Sequence, residues 1–114
     1  MDTRSKILDA VPREARQMKT VLGYFDPMHA GHARRLRELS GSGNQLTVII
    51  ADPPEPILSS RARAELVAAL DCVKYVIAGE SAANGLPHVV DERSADTARS
   101  REFAQYVVAR HNAK

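Results

Sequence analysis

Gly23-Tyr24-Phe25-Asp26-Pro27-Met28-His29-Ala30-Gly31-His32 is the stretch whose reading decides the fold. It follows the apolar residues Thr20-Val21-Leu22, so a strand ends at a glycine, turns through a tight loop and enters a helix at about Gly31. A strand, loop and helix start in this order form a common setting for phosphate. Amide N–H groups at the helix N-terminus point toward the anion, and the helix dipole favours negative charge there. His29 and His32, three residues apart, add imidazoles that can hydrogen-bond a phosphate whose charge changes during a reaction.

Working outward, residues 31–39 read as a helix with Ala33, Leu36 and Leu39 inward, broken by Ser40-Gly41-Ser42-Gly43-Asn44. Leu46-Thr47-Val48-Ile49-Ile50-Ala51 is a continuous β-branched run, the pattern of a strand buried on both faces. The prolines of Asp52-Pro53-Pro54-Glu55-Pro56 demand a loop. Ser59 or Ser60 then caps a helix over residues 61–70, expected to face inward through Ala62, Leu66, Ala69 and Leu70. Residues 73–78 read as a third strand, residues 88–90 as a short fourth, and residues 96–111 as a terminal helix with Phe103, Tyr106, Val107 and Arg110 along one side.

Residues 1–19 are expected to form an N-terminal arm or helix, with Ile7, Leu8, Val11 and Ala15 at helix-compatible spacing, and residues 20–114 a single domain. Alternating strands and helices imply an α/β fold with a parallel sheet and right-handed crossovers. Ligands in such sheets bind beyond the carboxyl ends of the strands, near the point where strand order reverses. That is where the histidine pair falls.

With 114 residues, 44% of them hydrophobic, the chain has material for one modest core. A net charge of +2 is too small to argue for nucleic acid or a membrane as partner. No apolar run approaches the roughly 20 residues that cross a bilayer, and the N-terminus lacks the apolar core of a secretion signal. The single cysteine, Cys72, excludes an internal disulfide and reads as a small buried hydrophobe. Together these features lead us to expect a cytoplasmic protein. His88 and His111 have no companions at useful spacing and read as surface or packing residues.

The run GYFDPMHAGH resembles the GxFDxxHxGH signature of the cytidylyltransferase-like nucleotidyltransferases, particularly the heptose-phosphate adenylyltransferase and glycerol-3-phosphate cytidylyltransferase branch. ARRLRELS and SSRARAELVAALDCVKYVI are similar to the following helix and to the second helix and third strand of that branch. The resemblance implies a small Rossmann-like three-layer fold with a short parallel sheet, here shortened at its C-terminal end. It also implies transfer of AMP or CMP from ATP or CTP to a phosphorylated sugar or polyol, with Mg²⁺, release of pyrophosphate and a homodimeric state.

By that resemblance His29 and His32 contact the triphosphate, and Gly31, like Gly23 at the strand end, belongs to the nucleotide-binding loop. The amides of Tyr24 and Phe25 meet phosphate oxygens. Asp26 shapes the loop or assists the metal. Arg63 aligns with an arginine that can reach phosphate, the competing reading being a surface ion pair with Glu55 or Glu65.

The chain also departs from the branch. It has Asp52-Pro53-Pro54-Glu55-Pro56 in place of a lysine-containing glycine-rich segment, and no lysine between Lys19 and Lys74. Glu55 stands where a relative has arginine, and an anion beside a triphosphate costs about 1 kcal/mol or more. Ser94-Ala95-Asp96-Thr97-Ala98-Arg99-Ser100-Arg101 is the nearest counterpart of the late Ser/Thr motif, and reads more simply as a helix cap leading into an amphipathic helix. Two functions follow: a minimal nucleotidyltransferase, or a non-catalytic nucleotide-binding or protein-interaction domain of the same fold.

Overall fold

The computed structural model describes residues 2–98 and residue 101. Five parallel strands make one sheet: β1 (Ile7–Leu8), β2 (Thr20–Gly23), β3 (Leu46–Ile50), β4 (Val73–Ala78) and β5 (Val89–Asp91), in the spatial order β1-β4-β3-β2-β5. Helix α1 (Ala30–Ser40) links β2 to β3, and α2 (Ser60–Ala68) links β3 to β4. From β2 the chain thus steps outward through β3 to β4, then returns to lay β5 on the other side of β2. The reversal of strand order falls beside β2, and an α/β Rossmann-like sheet opens its crevice there.

All five residues of β3 are buried, as its unbroken apolar run requires in the middle of a parallel sheet. One face of the sheet packs Val21, Val48, Ile50 and Val76 against Leu36 of α1 and Ala64, Val67 and Ala68 of α2. The other face carries Leu22, Ile49 and Ile77. Among the described residues it is covered by Val11 and by Ala82, Ala83 and Leu86 in and after the 3-10 turn Glu80–Ala83.

Of the arm or helix expected over residues 1–19, the structure shows no single helix: two 3-10 turns, Thr3–Lys6 and Arg13–Gln17, flank β1, which pairs with β4 as an edge strand. One expectation is corrected. Helix α2 is rotated from its expected phase, burying Arg63, Ala64, Val67 and Ala68 and leaving Leu66 exposed. The reason is that an arginine lies on the inner stripe, where an apolar pattern does not look for it.

A helix runs over residues 93–98 directly after β5. The rest of the expected terminal helix, apart from helical and exposed Arg101, lies outside the described residues, as do the Phe103, Tyr106 and Val107 face and His111. Among the described residues no helix is long and apolar enough to cross a membrane.

Candidate functional site

The loop after β2 and the helix after β5 meet at the carboxyl end of the sheet. There the histidines close the first turn of α1. His29 is its N-cap residue, in extended conformation, and its Nδ1 accepts the Gly31 N–H at 3.1 Å. His32 Nδ1 accepts the His29 N–H at 3.2 Å, completing a reciprocal cap of the kind usually made by a hydroxyl and a carboxylate. A ring nitrogen that accepts carries no proton, so each neutral imidazole keeps its proton on Nε2. The two rings stand edge to face with centroids 4.2 Å apart.

His32 is 1% exposed, and its Nε2 pairs with Asp96 Oδ1. The other oxygen of the same carboxylate accepts the Tyr24 N–H at 2.6 Å and the Phe25 N–H at 2.9 Å. Successive amides can converge in this way because Phe25 sits in the left-handed region at φ 51°, a conformation that costs a non-glycine residue energy and is held by its surroundings. Gly23 completes the corner. A Cβ there would lie 2.7 Å from Asp96 Oδ2 and 2.8 Å from the Phe25 ring. Two amides and an imidazole N–H therefore enclose one carboxylate that is 99% out of water, since Asp96 is 1% exposed.

The Asp96 backbone is anchored to the end of β5. Its N–H donates to the Glu92 carbonyl at 2.8 Å, and the Glu92 N–H extends the β5 ladder to the Leu22 carbonyl. The Glu92 carboxylate ion-pairs with Arg35 on α1 at 2.5 Å and holds that guanidinium's pKa above its usual value. Nearby, Arg93 bonds Asp91 and holds its carboxyl below the usual range.

The Asp26 carboxylate accepts the Ile57 and Leu58 amides at 2.7 and 2.8 Å, tying the β2 loop to the approach to α2. Arg63 is not at the surface but fully buried. Its guanidinium is sunk under the loops and donates to the carbonyls of Leu58, Tyr24 and Ala51 and to the Asp52 carboxylate. It stitches together the carboxyl ends of β2 and β3. Neither Glu55 nor Glu65 pairs with it in these contacts; Glu65 bonds Arg61 instead. His88 is exposed, and its carbonyl accepts the Thr20 N–H.

Beside the corner is a hollow of about 130 Å³ with Tyr24, Ile57 and three acids, Asp26, Glu55 and Asp96, in its wall. Ligand pockets usually offer about 300–1,000 Å³. A larger hollow of about 550 Å³ lies at the opposite end of the sheet, by Lys19, Leu46 and Lys74. Among the described residues no three metal-ligating side chains are grouped. Asp26, the carboxylate considered for a metal, has both oxygens engaged by amides.

Sequence reasoning placed Gly23, Tyr24, Phe25, Asp26, His29, Gly31 and His32 in one loop, and the structure keeps them together. It did not single out Asp96, which enters from 72 positions beyond Tyr24. The one sequence signal was an acidic residue in the segment matched to the late Ser/Thr motif.

Comparison with known proteins agrees with this geometry. The cytidylyltransferase-like family model matches residues 20–111. FAD synthase of Halorhabdus utahensis is 47% identical over 72 residues, covering 54% of this chain and 49% of that protein. Bifunctional protein HldE of Syntrophotalea carbinolica is 31% identical over 86 residues, 65% of this chain and 18% of that protein. FAD synthase of Haloferax volcanii is 44% identical over 57 residues, 45% of this chain and 40% of that protein. The chain therefore spans about half or less of the length of these relatives. With the strand, loop and helix around His29 and His32 lying inside the matched region, this chain belongs to the cytidylyltransferase-like family.

Proposed function

We propose that this chain carries out nucleotidyl transfer, taking AMP or CMP from ATP or CTP, releasing pyrophosphate and delivering the nucleotidyl group to a phosphorylated sugar or polyol. One observation carries the reading: the Tyr24 and Phe25 amides and His32 Nε2 converge on the two oxygens of one buried carboxylate at the strand ends. A carboxylate and a phosphate offer the same kind of acceptor, so a corner that binds one is chemically suited to the other. The kinship with proteins named FAD synthase and Bifunctional protein HldE supports the same class.

In this reading an oxygen of the acceptor phosphate attacks the α-phosphorus of the nucleotide. The bond to the bridging oxygen breaks, and its electron pair leaves with pyrophosphate. No side chain is alkylated or phosphorylated, so the work is positioning and charge stabilisation. The Nε2–H groups of His29 and His32 and the two loop amides donate to phosphate oxygens as charge grows on them, with the α1 N-terminus adding its dipole. Gly23 allows the anion to approach the backbone. Arg63 acts behind the loops as a positioning residue. Among the described residues the side chains do not form a metal cage of their own, and a Mg²⁺ in this reaction would be the one that accompanies the triphosphate.

A second reading, a non-catalytic domain of the same fold, is favoured by the acids that line the hollow and by Asp96 holding the donors. A pyrophosphate-release assay over ATP and CTP with a set of sugar and polyol phosphates separates the two. Turnover that falls at least about a hundredfold in His32→Ala supports transfer, on the usual scale for loss of one such donor. Nucleotide binding without turnover on any acceptor, unchanged in His29→Ala, sinks it.

A further inference from the structure

We propose that Asp96 is an internal phosphate mimic that sets how tightly this site binds anions: a ligand phosphate must displace its carboxylate before it can reach the corner. The inference rests on the reading of that corner as a nucleotide-phosphate site. Its basis is the donor inventory. The Tyr24 and Phe25 amides both donate to Asp96 Oδ2, and His32 Nε2 faces Oδ1, so three of the groups assigned to phosphate oxygens are engaged by the chain's own anion.

Asp96 is not a bystander drifting near the loop. It is 1% exposed, it meets Gly23 at a place where any Cβ would collide with Oδ2, and its backbone is tied to Glu92 at the end of β5. Nor can the two anions share the corner. Each amide N–H has one hydrogen to give, and two like charges about 4 Å apart in a protein of moderate dielectric repel strongly. Among the described residues the adjoining hollow adds no cation: Asp26 and Glu55 line it, and Arg63 is occupied beneath the loops. The wild-type chain therefore binds triphosphates weakly, and loss of the Asp96 charge uncovers the latent affinity.

The test is titration of the full chain with ATP, CTP and inorganic pyrophosphate, by calorimetry and by following the Tyr24 and Phe25 amide resonances. Asp96→Asn, which keeps the shape, and Asp96→Ala are compared with wild type. The expected result is a Kd at least about a hundredfold lower in one or both variants, with the two amide resonances moving on ligand addition. The double variant His32→Ala with Asp96→Asn loses that gain. If Asp96→Ala fails to fold, Asp96→Asn decides. Equal affinity in wild type and variants overturns the mimic while leaving the nucleotide reading intact. Absence of binding in every folded variant overturns both.

Discussion

Replacing Arg63 by alanine removes the largest of the fully buried side chains and four donor contacts at once. The Asp52 partner contributes little to the loss, because its side chain is 67% exposed and water takes over from the guanidinium. The cost lies in the carbonyls of Leu58, Tyr24 and Ala51, which are left facing a void. At about 1–3 kcal/mol for a buried acceptor without a donor, with only the Ala51 contact fully buried, the expected loss is about 4 kcal/mol. A domain of this size holds about 5–15 kcal/mol in all, so the variant is folded but close to its limit. Urea unfolding followed by far-UV circular dichroism suits a chain without tryptophan. The midpoint should fall steeply at unchanged slope. Arg63→Met, which restores the bulk but no donors, should recover only the packing share. A loss below about 1 kcal/mol for Arg63→Ala, together with a collapse of nucleotide binding, would refute the positioning role and return Arg63 to the phosphate.

Gly23→Ala drives a methyl to within 2.8 Å of the Phe25 ring and 2.7 Å of Asp96 Oδ2, and should cost about 1–3 kcal/mol in the same unfolding assay. Pairing it with Asp96→Ala should relieve part of that cost, which a double-mutant cycle reads directly. Burial, and then the neighbouring Asp71 charge, push the Cys72 thiol above its ordinary pKa. The folded state therefore keeps its proton where the unfolded chain has released it. The stability this contributes is intact below the ordinary thiol pKa and declines as pH rises through and beyond it. A urea midpoint that falls more from pH 8 to 10 in wild type than in Cys72→Ala is the expected result, and parallel curves would exclude it.

The parts of the fold that local pattern controls were legible: the uninterrupted β3 run, the glycine that ends β2, and the histidine-rich entry to α1. Strand β1 was not, because two residues carry no period and Ile7 and Leu8 are extended only through pairing with Val76 and Ile77. The phase of α2 was misread because Arg63 is polar by identity yet inside by virtue of four partners, none of them adjacent in sequence. The site divides the same way. Residues 23–32 disclose themselves by spacing, whereas Asp96 acquires its meaning only when β5 lies beside β2 and carries the following helix over the loop. Long-range pairing of this kind leaves no local trace.

The reciprocal cap made by the two histidines has a bearing on how such sequences age. Both Nδ1 atoms serve the backbone, so the pair helps to fold the first turn of α1 whatever the ligand does. A lineage that abandoned turnover would still be under pressure to keep His29 and His32, since losing either leaves an amide without its acceptor. The histidine signature is thus a fossil of architecture as much as a mark of chemistry. Position 96, which supports no secondary structure through its side chain and meets both loop amides and His32, is where a change of trade would first be written.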